Sequence, residues 1–310
     1  MSPWIDRQFP QGDEIFLDHI GYFVADLDEA GSRLERLGFA VSPVNVHTHA
    51  DETGKRHISG TSNRLAMLRR GFIEILAATH DTKLADRLKQ SLARYEGIHL
   101  IAVSHDDIAG LRRRSIAAGF GMQEIVDLRR TGHTPQGLRD VAWSVLRPEP
   151  GVIAEGRVQF VKCHTPDTVW APGMAPPANG AEGLGDLLLC VADRPEASGR
   201  LGRYLDRAPT DRGSVSAIAL DRGRILVADR AGAAKILPGF SPPDLPYMAG
   251  QAIRSADLSA TRAALAKGGI KPLFANDTLI CVGPGDALGG YLLFHSTGID
   301  DPWAALAARS

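Results

Sequence analysis

A unit that occurs four times constrains this chain more than any other feature. Its first copy, Leu17 to Leu27, reads as a short apolar strand with one histidine in it. A helix follows that Asp26 can cap and Gly38 can end. Side chains alternate across a strand, so Leu17, His19, Gly21 and Phe23 share one face. The second copy is Gly97 to Ser104 with Asp106 before a helix. The third is Gly185 to Val191 with Asp193, and the fourth Ala249 to Ile253 with Asp257. Seven residues before the four aspartates lie His19, His99, Asp186 and Gly250.

Each copy also closes with a strand that a glycine precedes: Gly71, Gly156, Gly223 and Gly290. Three residues past these come Glu74, Gln159, Leu226 and Leu293, so the polar residues fall in the first half of the chain. A unit of about 50–70 residues cannot bury both faces of a small sheet alone. Pairing units around a shared cavity solves this, and the expected class is α+β. The stretch richest in Pro, Gly and Ala without periodicity, Ala171 to Gly180, is the best boundary. It divides the chain into an N-terminal pair over 1–170, a linker over 171–182 and a C-terminal pair over 183–310. Between the first helix and its later strands lies a polar segment, Pro43 to Ser62, holding His47, His49 and His57. Asp81 to Tyr95 reads as a linker helix with Leu84, Leu88 and Leu92 on one face. The C-terminal tail reads as peripheral.

A formal charge of -1 over 310 residues lacks the basic excess of a nucleic-acid footprint. No apolar run approaches the ~18 residues of a membrane span, and no signal-peptide core is present. The three scattered cysteines suit neither a disulfide framework nor a Cys-x-x-Cys metal site. A cytoplasmic protein, monomer or homodimer, acting on a small molecule is expected.

By the repeat count, His19, Glu74 and His99 all face the N-terminal cavity. Two neutral imidazoles and a carboxylate on separate strands form a ligand set with open positions for water and substrate. One divalent ion (Zn, Ni, Mn, Co or Fe(II)) is the expected cofactor. Gln159 sits where a fourth ligand or a donor to substrate would be. The alternative is packed core histidines and a glutamate paired with a nearby arginine.

Leu17 to Leu27, the Asn63-containing strand, Phe72 to Leu76 and Cys163-His164-Thr165-Pro166-Asp167 together resemble the glyoxalase-like branch of the vicinal oxygen chelate superfamily. The resemblance covers roughly 15–185. It implies four βαβββ modules paired into two domains, a divalent metal in the N-terminal pair, and His19, Glu74 and His99 as its ligands. Where glyoxalase I-type enzymes have a glutamate, this chain has Gln159, which takes no proton at neutral pH. Either a base comes from elsewhere, with His164, His47 and His57 as the candidates, or the chemistry needs none of that kind. Arg64, Arg157 and Asn63 are the expected substrate contacts. The implied activity is that of a metal-dependent lyase or isomerase on a vicinal-oxygen substrate. An Fe(II) extradiol-type dioxygenase and a non-catalytic small-molecule binder are the alternatives.

Overall fold

The computed structural model describes residues 4–50, 53, 55–171, 173–174 and 176–309. The side chains of His49 and Leu84, both singled out in the sequence, lie outside the described residues.

The first module comprises β1 (Phe16–Phe23), α1 (Leu27–Arg36), β2 (Asn45–Ala50), β3 (Arg56–Met67) and β4 (Phe72–Ala78), with helix α2 (Lys83–Leu92) after it. The second comprises β5 (Gly97–Ser104), α3 (Ile108–Ala117), β6 (Val126–Thr134), β7 (Gly137–Leu146) and β8 (Arg157–Cys163), then α4 (Pro166–Val169). The third comprises β9 (Ala181–Val191), α5 (Arg194–Leu205), β10 (Pro209–Arg212), β11 (Val215–Ala219) and β12 (Arg224–Asp229), then α6 (Arg230–Ile236). The fourth comprises β13 (Tyr247–Ser255), α7 (Leu258–Lys267), β14 (Phe274–Ala275), β15 (Leu279–Val282) and β16 (Tyr291–Ser296), then α8 (Pro302–Ala307). Four βαβββ modules are therefore present. The segment around His47 and His57, read as polar connection, forms the hairpin of β2 and β3.

Within each module the first and last strands pair in parallel, and the two first strands of a pair run antiparallel. The orders are β2-β3-β4-β1-β5-β8-β7-β6 and β10-β11-β12-β9-β13-β16-β15-β14. One core spans both halves. It joins Ile20, Ile73 and Ile101 of the N-terminal eight strands to Leu187, Ile225 and Ile253 of the C-terminal eight, which the pairing of Ile98 in β5 with Met248 in β13 links into one sheet, with Leu34, Leu111, Leu201 and Leu265 of the four module helices. The glycine before the last strand has a backbone reason in three of the four modules. Gly71, Gly156 and Gly223 adopt φ of +81°, +140° and +90°, a region that side chains disfavour.

Asp26, Asp193 and Asp257 cap α1, α5 and α7 as expected, each accepting backbone N–H groups of the first turn. The second module differs by one residue. Asp107, not Asp106, caps α3, and Asp106 instead pairs with Lys162 at 2.8 Å. The extra residue is absorbed in β5, where Gly21 of β1 faces Leu100 and Tyr22 faces Ile98. His99 lies in that irregularity, so the residue equivalent to His19 is Leu100.

The tail is not peripheral. Trp303 and Leu306 of α8 join Ile236 of α6 in an apolar cluster with Leu188, Leu226, Leu293 and Cys281. These two helices fill the concave face of the C-terminal sheet, leaving a cavity of about 340 Å³ beside Trp303. There Asp186, the counterpart of His19, is bound to Arg224 by two hydrogen bonds of 2.8 and 2.6 Å.

Candidate active site

The concave face of the N-terminal sheet keeps its polar residues. Strand registers set them in rows. One row holds Leu65, Glu74, Gly21, Leu100 and Arg157, and the next holds Met67, Phe72, His19, Ala102 and Gln159. Between the polar ends of the first row the floor stays low, because a Cβ at Gly21 would stand 2.9 Å from that of Leu100. Phe23, Phe72, Trp143 and Val161 supply the apolar lining, with Leu88 of α2 and Trp170 after α4 packed against it.

His19 is held from three sides. Its ring stacks on Phe72 at 4.4 Å and meets Trp143 edge-on at 6.3 Å. Its Nδ1 lies 2.7 Å from Oδ1 of Asp18, a carboxylate with no solvent exposure. Adjacent residues of a regular strand point apart; here the register between β1 and β5 shifts from Leu17 to His19, which lets Asp18 reach its neighbour. A carboxylate accepts from an imidazole N–H, so Nδ1 is the ring nitrogen that Asp18 engages and Nε2 is the one that faces the concavity. That Nε2 stands 3.9 Å from Oε2 of Glu74. The other Glu74 oxygen accepts from Nδ2 of Asn63. Arg222 of the C-terminal half is buried beneath Phe16, close enough to Asp18 to feel its charge.

Three guanidinium groups surround Glu74. Arg157 lies over the Phe23 ring at 5.4 Å, and Arg147 donates from Nε to Oε1 of Gln159 at 3.0 Å. Arg130 comes from β6, opposite Val141, where β6 approaches β2. Among the described residues none of the three has a carboxylate within 4.0 Å. Burial lowers the pKa of all three, Arg147 to about 10, with Glu74 acting against it in each. They remain cationic at neutral pH. His47 of β2 shares a 2.9 Å hydrogen bond with Oγ1 of Thr61. Burial, with Arg130 nearby, pushes its pKa down to about 4, so it is neutral.

Several expectations are corrected. His99 is sandwiched between the rings of Tyr95 and Phe23, at 4.0 and 5.2 Å, with Nε2 bonded to the Tyr95 carbonyl at 2.8 Å. Burial drops its pKa to about 4. His164 is exposed and bonds Ser144, whose neighbours Trp143 and Val145 are the ones lining the concavity; it lies on the outer face. Arg64 also faces out, with Nε on the Ser42 carbonyl at 2.9 Å and its guanidinium against Gly31 of α1. His57 is exposed. Asn63, Gln159 and Arg157 do line the concavity.

A model of the glyoxalase-like domain matches residues 17–205, more than half of the chain. The chain belongs to this family. It is a glyoxalase-like protein of the vicinal oxygen chelate superfamily. No curated protein matches its sequence. In fold it is similar to a hypothetical protein from Staphylococcus aureus, at TM-score 0.65 and 12% identity, over 91% of this chain and 99% of that one. A triple mutant of 4-hydroxymandelate synthase from Streptomyces coelicolor gives 0.61 and 14%, over 95% and 96%. A xylose isomerase-like TIM barrel/4-hydroxyphenylpyruvate dioxygenase fusion protein gives 0.58 and 12%, over 94% of this chain and 50% of that one. These likenesses concern the fold. Among the described residues no helix of this glyoxalase-like protein is long and apolar enough to cross a membrane.

The side chains present do not fit the expected three-ligand metal centre. His19 and Glu74 stand within reach of one ion, but the third position belongs to Leu100, and His99 is committed elsewhere. Gln159 is engaged by Arg147, and the surrounding guanidinium charges oppose a second cation. Among the described residues no group of three His, Cys, Asp or Glu is placed to hold a metal.

Proposed function

We propose that the N-terminal concavity is an active site for proton transfer on a small carbonyl compound bearing an adjacent oxygen, an isomerase or lyase type of reaction. The observation that supports this reading best is the Asp18–His19 pair, whose Nε2 is turned toward Glu74 in an aromatic-lined cavity. Asp18 fixes the tautomer and compensates the imidazolium that forms. Nε2 of His19 removes a proton from the carbon beside the carbonyl, and the C–H electron pair moves to the carbonyl oxygen. Guanidinium N–H groups of Arg157 and Arg147 receive the resulting enolate oxygen. The hydroxyl proton of the adjacent oxygen passes to the enolate oxygen, the new carbonyl forms on that adjacent oxygen, and the imidazolium returns its proton to the former carbonyl carbon, with Glu74 stabilising the charged ring between the two steps. No base is required at Gln159.

The experiment is solvent exchange. α-Hydroxycarbonyl and α-keto acid compounds are incubated with the protein in D2O, and loss of the C–H signal is followed by proton NMR. Exchange that falls about 10²–10⁴-fold in His19→Gln and Glu74→Gln is expected. Exchange unaffected by both substitutions would remove these residues from the reaction.

Among the described residues the C-terminal half keeps no counterpart of the His19–Glu74 pair, its equivalent positions being Asp186 and Leu226. Its concave face is filled by α6 and α8, and Asp186 and Arg224 satisfy each other. This disfavours a dioxygenase reading centred on that half.

A further inference from the structure

The three arginines of the concavity do more than hold one enolate oxygen. Arg130, Arg147 and Arg157 come from β6, from the segment after β7, and from β8, so each is fixed by a separate part of the second module. Against them stands one carboxylate, Glu74. His47, half-buried, and His99, buried, are neutral, and they add no charge. Asp18, beneath His19, is offset by the nearby Arg222, so the three guanidinium groups against Glu74 leave a net charge of about +2 in a partly desolvated space, an arrangement that is expensive unless an anion completes it. Arg222, the deepest arginine, is held by the main-chain carbonyls of Arg7 and Leu17, and two part-buried arginines elsewhere are matched by carboxylates, Arg224 by Asp186 and Arg200 by Glu155 at 2.8 Å. These three are not.

Between the cations lie flat apolar surfaces. The ring of Phe23 lies under Arg157, and Phe72 and Trp143 flank His19. Gln159 turns the Arg147 fork by occupying its Nε, which leaves the terminal N–H groups for a ligand.

We infer that the N-terminal concavity selects a small planar dianion: two negative charges for the unmatched guanidinium groups, and a flat apolar body for the aromatic lining. Carboxylates and a phosphate ester share this chemistry, and both offer the paired oxygens that a guanidinium fork takes bidentately. The inference names the substrate class for the site proposed above and rests on that reading only for its location.

The test is equilibrium binding to the full-length protein by calorimetry. Four probes share a phenyl ring: benzamide (neutral), benzoate (one charge), phthalate (two carboxylates) and phenyl phosphate. At least one dianion is expected to bind saturably and about tenfold or more tighter than benzoate, with benzamide weaker still. Whichever of phthalate and phenyl phosphate binds tighter identifies the headgroup. Arg157→Gln and Arg147→Gln should each weaken it about 10- to 100-fold, the loss expected of a charge-assisted fork. Arg64→Gln, on the outer face, should leave it within about twofold. Arg157→Lys keeps charge but not the fork, so it should fall between; circular dichroism confirms that each variant is folded. Absence of saturable binding of either dianion at about 10 mM, or equal affinity for benzamide and phthalate, overturns the inference. Dianion binding without proton exchange would leave the anion site standing and remove the proposed reaction; exchange confined to neutral compounds would do the reverse.

Discussion

Placing Leu100, not His99, in the position equivalent to His19 makes a specific gain-of-function prediction. In a tetrahedral zinc centre, ligand atoms at about 2.0–2.1 Å from the ion lie about 3.4 Å from each other. Nε2 of His19 and Oε2 of Glu74 are already 3.9 Å apart, so a small rotation lets them share an ion. What is missing is a third donor on the floor, where Leu100 stands directly across Gly21. Four-ligand zinc sites supply about 10–16 kcal/mol, or about 3–4 kcal/mol per ligand. Leu100→His should therefore tighten Zn2+ binding by about 10²–10³-fold. The same change removes a leucine that is only 2% exposed and should lower stability by about 2–4 kcal/mol without metal. Calorimetric titration with Zn2+ measures the first effect and urea unfolding the second. Adding Glu74→Gln to the variant should abolish the gain. If Leu100→His gains nothing while His99→Ala weakens Zn2+ binding by the wild-type protein, the register assigned to β5 is wrong.

Two predictions concern the framework. Asp186→Ala leaves Arg224 buried with only Asp301, at 3.4 Å, and should cost about 2–4 kcal/mol of stability. Replacing the pair together, Asp186→Leu with Arg224→Met, should recover most of that; a single-variant loss below about 0.5 kcal/mol in urea unfolding would contradict it. His99 is neutral in the folded state to about pH 4 but takes a proton near pH 6.5 when unfolded. The unfolded chain thus binds more protons between those values, and stability falls as pH drops from about 6.5 toward 4. About 2–3 kcal/mol of that fall should come from this residue. Unfolding at pH 7.5 and 4.5 should show a smaller difference in His99→Gln than in the wild type, and equal differences would refute the assignment.

Much of the architecture could be read from the chain. A repeated apolar strand, a capping aspartate and a glycine before a last strand each impose a local conformation, and four copies in order fix the modules. The positions of Glu74 and Gln159 were legible for the same reason: Gly71 and Gly156 adopt backbone angles that a side chain would oppose, so they anchor the count. In the second module's first strand the count slips by one residue, because Asp106 and Asp107 are adjacent and either can cap a helix. One residue of slip turns a strand over, exchanging Leu100 for His99. Asp18 is not legible in the sequence, because a regular strand would aim it away from the cavity and the register shift that brings it beside His19 has no local signature. Arg130 and Arg147 depend on how the β6–β7 hairpin curls over the sheet, a tertiary matter. The sealing of the second concavity by α6 and α8 likewise follows from which face their apolar residues meet, not from their composition.

The central claim is that Asp18, His19 and Glu74 carry proton transfer with the side chains as they stand. It is tested most directly by measuring deuterium exchange before and after exhaustive chelation of the purified protein. Rates within about twofold of each other are predicted, because no step depends on a bound ion. Loss of exchange on chelation, with recovery on adding Zn2+, Ni2+, Mn2+ or Fe2+, would contradict the account and return His19 and Glu74 to the role of metal ligands.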